Sequence, residues 1–141
     1  MTWKTTFEDR LKSWVDLRSS TGVEPLAEYL QRVNEWWHQT PWSPYYLHWD
    51  DVETWPTPWD LLADNIFCPV SRGVGMLYTL ALSPRGDTKD AQLLGFGNDN
   101  LVIVRRGLYV LNYSQESVVN ITLPTKHTHY RLSVTDVLQR I

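Results

Sequence analysis

The chain has a single cysteine in 141 residues, no tryptophan after Trp59, no excess of basic residues and no long apolar run. One cysteine cannot close an internal disulfide, which predicts a reducing compartment such as the cytoplasm. Lys and Arg total 13 against 16 Asp and Glu, for a formal charge of -3, and they are scattered. That balance excludes the basic footprint of a nucleic-acid binder. A span needs about 18 consecutive apolar residues, and none is present, so no membrane partner is expected. Met1-Thr2-Trp3-Lys4 runs straight into a charged amphipathic segment and reads as no signal peptide. Glycine-rich phosphate cradles are lacking too. Gly73 and Gly75 lie inside an apolar helical pattern and Gly95-Phe96-Gly97 ends a strand pattern, so these glycines read as close packing and a turn. No cofactor is expected.

What is present is a 43% apolar, 21% charged composition of ordinary globular character. The length predicts one domain over 1–141, with a helical and aromatic arm region at 1–54 and an α+β core at 55–141. Phe7, Leu11, Trp14 and Val15 fall on one face of a helix, with Glu8, Asp9, Arg10 and Lys12 between them. After the breaker Ser19-Ser20-Thr21-Gly22, Pro25 opens a second helix with a broad apolar face of Leu26, Tyr29, Leu30, Val33, Trp36 and Trp37.

Thr40 to Thr57 holds three prolines and five aromatics and predicts an extended, wrapped segment, because residues before proline leave the helical region. Within it His48, Asp50, Asp51 and Glu53 lack a metal-ligand spacing and read as a solvated acidic turn, so no metal is expected. All eight tryptophans lie at or before Trp59. Two readings of them stand side by side. In one, Trp36, Trp37, Trp42, Trp49 and Trp55 are partner-binding anchors for other protein subunits, with Trp59 in the core. In the other, they build an aromatic core.

The stretch WPTPWDLLADNIFCPVSRGVGMLYTLAL, Trp55 to Leu82, organises the rest. Thr57-Pro58-Trp59-Asp60 is a helix start: hydroxyl cap, proline at the first position, carboxylate near the free N–H groups. Cys68-Pro69 repeats that grammar and opens a helix with Val70, Val74, Leu77, Tyr78 and Ala81 at the helical period. A thiol at a helix N-terminus sits where the macrodipole favours thiolate, as a cysteine nucleophile does. The bland counterpart is a small buried hydrophobe. Beyond Ser83-Pro84-Arg85-Gly86-Asp87, antiparallel strands are expected at 91–96, 101–105, 108–113, 117–123 and 130–134, with Arg106-Gly107 as a hairpin connection and Thr135–Leu138 as a closing helical turn. Helices followed by a meander give α+β.

The cysteine opening an apolar helix, followed by the strand pair NLVIVRRGLYVLNYS, resembles the transglutaminase-like (papain-like) cysteine enzymes, most of all the bacterial transglutaminase-like cysteine proteinases. The resemblance covers about Trp55 to Ser114. It implies a Cys-bearing helix on an antiparallel sheet, with nucleophile, base and orienting acid at Cys68, Asn100 and Asn112. Two of those positions depart from the pattern. An amide at 100 takes no proton from a thiol, and an amide at 112 lacks the charge that would hold an imidazolium. His127 and His129 are the candidate replacement bases, with polar edge-strand residues as their plainer reading. TWPTPWDLL, followed by the Cys-helix and YTL, also resembles a group of small tailed-bacteriophage proteins of unassigned or virion-structural role. Together these imply a pseudoenzyme: a non-catalytic structural or adaptor subunit of a phage particle (baseplate, tail or neck), made in the host cytoplasm and located in the virion. The alternative is an active cysteine hydrolase or acyl transferase with Cys68 as nucleophile.

Overall fold

The structure, a computed structural model, describes residues 3–19, 23–41, 55–65, 67–96, 99–118 and 128–140. Among these residues, five α-helices and one four-stranded antiparallel sheet make an α+β fold. Helices α1 (Phe7–Arg18) and α2 (Leu26–His38) come first, then the short α3 (Pro58–Asp64) and α4 (Pro69–Leu82). Strands β1 (Gln92–Phe96), β2 (Asp99–Val104), β3 (Tyr109–Leu111) and β4 (Tyr130–Ser133) follow, and α5 (Val134–Leu138) closes the chain. The sheet order is β3-β2-β1-β4.

Local chemistry sets the helix ends. The Thr57 hydroxyl accepts from the Asp60 N–H, Pro58 takes the first helical position, and Asn65 ends α3 in the left-handed region at φ 56°. Ser133 and Asp136 form a reciprocal capping box at the start of α5. Helix α4 is the hub. Every residue from Gly73 to Ala81 is buried, because α1, α2, α3, α5, β1 and β2 all pack against this helix. A helix apolar on all sides is one surrounded on all sides. Gly75 accommodates the Trp37 ring, and a Cβ at Gly73 would stand 2.8 Å from Leu93 Cδ1, so both glycines permit close approach.

The tryptophans pack inward. Trp14, Trp36, Trp37 and Trp55 are buried, and Trp3 and Trp59 are half-buried against the same core. Trp14 and Trp37 both donate their indole N–H to Thr79 Oγ1 (2.8 and 3.0 Å), Trp36 donates to Ser13 Oγ (2.9 Å) and Trp3 to Asn65 Oδ1 (2.7 Å). With each of these N–H groups matched inside, the rings bury their area without losing a hydrogen bond. Trp36, Trp37 and Trp55, expected as partner anchors, bury their rings within their own chain: Trp36 lies against Trp3 and Trp37, Trp37 against Phe67 and Gly75 of α4, and Trp55 against Tyr130. Trp42 and Trp49 lie outside the described residues, as do His48, Asp50, Asp51 and Glu53 and most of the expected extended segment. Trp59, expected in the core, is half-buried and meets the Trp14 ring edge-on at 6.2 Å.

The strands differ from expectation in detail. The third is shorter than 108–113, because the chain turns at Asn112, whose φ is 66°. Ser117 and Val118 are not strand, and residues 119–123 of that expected element are outside the described part. Along β2, Val102 and Val104 face α4 with Leu93, Leu111 and Leu132, while Leu101 turns to the opposite face with Leu94 and Val110.

Candidate functional site

The site forms where the start of α4 meets the middle of the sheet. Cys68 is the N-cap of α4, in extended backbone, and only 2% of its surface is exposed. Its N–H donates to Ser71 Oγ (2.8 Å), which in turn donates to the Cys68 carbonyl (3.1 Å). This is the fixed start that the Cys68-Pro69 pair announces.

A row of three residues crosses the sheet nearby. Gly95 on β1 is paired with Asn100 on β2 and with Tyr130 on β4. Because Gly95 carries no side chain, the Tyr130 ring lies across it and its hydroxyl donates to Asn100 Oδ1. A Cβ at 95 would strike that ring. Trp55 closes on the ring edge-on, with centroids 5.2 Å apart. Burial, and then the proximity of Cys68, push the Tyr130 phenol well above its usual range, so it stays protonated at neutral pH.

Asn112 joins the two halves of the site. Its Nδ2 donates to the carbonyls of Pro69 (2.9 Å) and Asn100 (2.7 Å), and its backbone N–H donates to Asn34 Oδ1 (2.9 Å). Asn34, fully buried on α2, extends the link by donating to the Ser114 carbonyl (2.7 Å). Arg72, one turn beyond Cys68, donates from Nε to the Trp37 carbonyl (3.0 Å). Burial lowers its pKa, and the nearby thiol partly opposes that.

Cys68, Asn100 and Asn112 are thus gathered at one place. Among the described residues, the thiol's neighbours include two amides, a phenol held protonated and a guanidinium. None of these takes a proton from a thiol at neutral pH. The amide at 112 also faces the wrong way for an orienting acid, since its donors are used and they point at carbonyls. Of the candidate replacement bases, His127 is outside the described residues. His129 is exposed and precedes Tyr130, whose inward direction sends residue 129 the other way. His38 holds its Nδ1 against the Asn34 carbonyl at 2.7 Å.

Tyr130, Asn34 and Arg72 were missed in the sequence. Asn34 alone left a signal: it falls at i+4 from Leu30 and i-3 from Trp37, a polar residue on an otherwise apolar helix face. Among the described residues no group of three metal-ligating side chains occurs, and no helix is long and apolar enough to cross a membrane. Comparison with family models, with curated proteins and with solved structures finds no match to this chain.

Proposed function

We propose that the chain is a non-catalytic structural or adaptor subunit of a tailed-phage particle, in its baseplate, tail or neck, built on a transglutaminase-like core. The observation that carries the non-catalytic part is the use made of Asn112. At the position matched to an orienting acid, an amide donates to two backbone carbonyls, tying the start of α4 to β2. Where the resemblance expects a base, Asn100 receives the Tyr130 hydroxyl. The thiol, amides and phenol are a polar joint that fixes a buried helix on a sheet, and such networks specify one arrangement of a core when every member is bonded. The antiparallel sheet and the helix that Cys68 caps support the fold resemblance. The phage setting rests on the TWPTPWDLL phrase and its likeness to small virion proteins. Other protein subunits are the proposed partners, met by surfaces other than the rings of Trp36, Trp37 and Trp55.

The test is particle composition. Mass spectrometry of purified particles should find the chain at a fixed copy number, and Cys68→Ser should enter them at the wild-type level. The serine variant should lose at most about 1–2 kcal/mol of stability, the cost of burying a hydroxyl in place of the thiol. A hydrolytic or cross-linking activity of the wild type that Cys68→Ser abolishes would make the chain a cysteine hydrolase or acyl transferase instead.

A further inference from the structure

Strand β3 has a turn at each end, and the two turns carry opposite charge. At its start, the connection from β2 passes through Arg105, Arg106 and Gly107, with φ angles of 53°, 57° and 93°. All three are left-handed, a region that only glycine enters without steric cost. Tight hairpin connections of this hand are ordinarily written with Asn and Gly. Here the two non-glycine places are arginines, and both are exposed. The tip holds a definite shape: the Leu108 N–H closes on the Arg105 carbonyl (3.1 Å), and the Arg105 N–H donates to Asp90 Oδ2 (2.9 Å). Asp87 feels the charge of Arg105, but its own salt bridge goes to Arg85 (2.9 Å). Strained backbone that presents two exposed guanidinium groups is the pattern of a contact point, because the fold itself would be served better by other residues.

At the far end of β3 the chain reverses between Leu111 and Val118, whose carbonyl accepts from the Val110 N–H (3.2 Å). This reversal and the end of α2 wall an open groove of about 390 Å³ lined by Glu35, Gln39, Gln115 and Glu116. Asn34 ties the two walls together through Asn112 and Ser114. The two carboxylates give this groove the charge opposite to the tip and acceptors for guanidinium donors, with Glu35 already accepting from Gln31 Nε2 through one oxygen (2.9 Å).

Tip and groove lie at opposite ends of one three-residue strand, so a chain cannot seat its own tip in its own groove. We propose that the chain associates with itself head to tail, the Arg105–Arg106 hairpin of one copy entering the Glu35–Glu116 groove of the next. Such a contact is heterologous and repeats, giving a ring or a line of subunits. The inference rests on the reading of the chain as an assembly subunit and names its partner as a second copy.

Sedimentation velocity on the purified full chain tests it. At about 50 mM NaCl, species larger than the monomer should grow with concentration, and at about 500 mM they should recede, because salt screens contacts between surface charges. Arg105→Asn/Arg106→Gly should keep the turn, melt no lower than wild type, and weaken association by more than about tenfold through loss of its charge-assisted bonds. Glu35→Lys/Glu116→Lys should do the same from the other side. An equimolar mixture of the two variants should restore dimers and nothing larger, since one intact tip and one intact groove remain. A wild type that stays monomeric at every concentration, or a mixture that stays monomeric, overturns the proposal. A monomer that still enters particles leaves the assembly reading standing, and a self-associating chain missing from particles does the reverse.

Discussion

Thr79 sits mid-way along α4 with its hydroxyl shared by two tryptophans. The indole N–H groups of Trp14 and Trp37 both donate to it, at 2.8 and 3.0 Å, and it donates to the Gly75 carbonyl at 2.7 Å. All three side chains have 0% exposure. Thr79→Val keeps the shape and removes the acceptor, which leaves two buried donors without a bond. Each orphaned donor costs about 1–3 kcal/mol, so the variant should lose about 2–6 kcal/mol. Against a typical domain stability of about 5–15 kcal/mol, that is a large fraction. Thr79→Ser is the control: it keeps the hydroxyl and gives up one methyl group, a loss of about 1 kcal/mol. Urea unfolding followed by tryptophan fluorescence reads both, and a shifted midpoint at unchanged slope isolates stability. A Thr79→Val chain as stable as wild type, or a serine variant weaker than the valine one, would refute the claim that this hydroxyl is what allows the rings inside.

Two further outcomes follow from the same network. Asn112→Asp should destabilise the fold by about 2–3 kcal/mol at neutral pH, because a carboxylate would face the Pro69 and Asn100 carbonyls where a donor is needed, and the loss should shrink on acidification as the acid gains a proton. A chemical-denaturation series at pH 7 and pH 4 checks both parts. His38 has its pKa lowered, first by burial and then by Arg72, although the Asn34 carbonyl works against the shift. The unfolded chain therefore binds the His38 proton more readily than the folded one. The stability from His38 is fully present above the unfolded value of about 6.5 and is lost as pH falls through the lowered folded value. Wild type should lose more stability than His38→Gln between pH 7 and pH 5, and equal losses would contradict the assignment.

Local signals in the chain were legible. Thr57-Pro58-Trp59-Asp60 and Cys68-Pro69 mark two helix starts because capping is settled within four residues, and the apolar period of α4 marks its burial. Gly73 and Gly75 carried their meaning because an apolar helix keeps glycine mainly for close approach. What stayed hidden depends on partners far along the chain. Trp14 finds Thr79 at a separation of 65 residues, and Asn112 finds Asn34 at 78. No local pattern says whether a tryptophan meets a buried hydroxyl or a neighbouring subunit, so the rings of Trp36, Trp37 and Trp55 were open to both readings. Arg10, expected on the polar face of α1, is likewise buried because the carbonyls of Leu62, Lys4 and Thr5 receive its guanidinium. Gly95 read as a strand end, whereas its role is to leave room for Tyr130 to reach Asn100.

That Cys68 is part of a structural joint and not an activated nucleophile is tested most directly by its labelling rate. The chain should be exposed to a thiol-alkylating probe across pH 5 to 9, folded and in denaturant, and the modified fraction followed by mass. A structural thiol, 2% exposed and neighboured among the described residues by amides, a phenol and a guanidinium, should label far more slowly in the folded chain than in the unfolded one at every pH. The unfolded chain should follow an ordinary thiol titration near a pKa of about 8.5. A folded chain that labels faster than the unfolded one at neutral pH, with a rate already level below about pH 7, would reveal a thiolate and contradict the account.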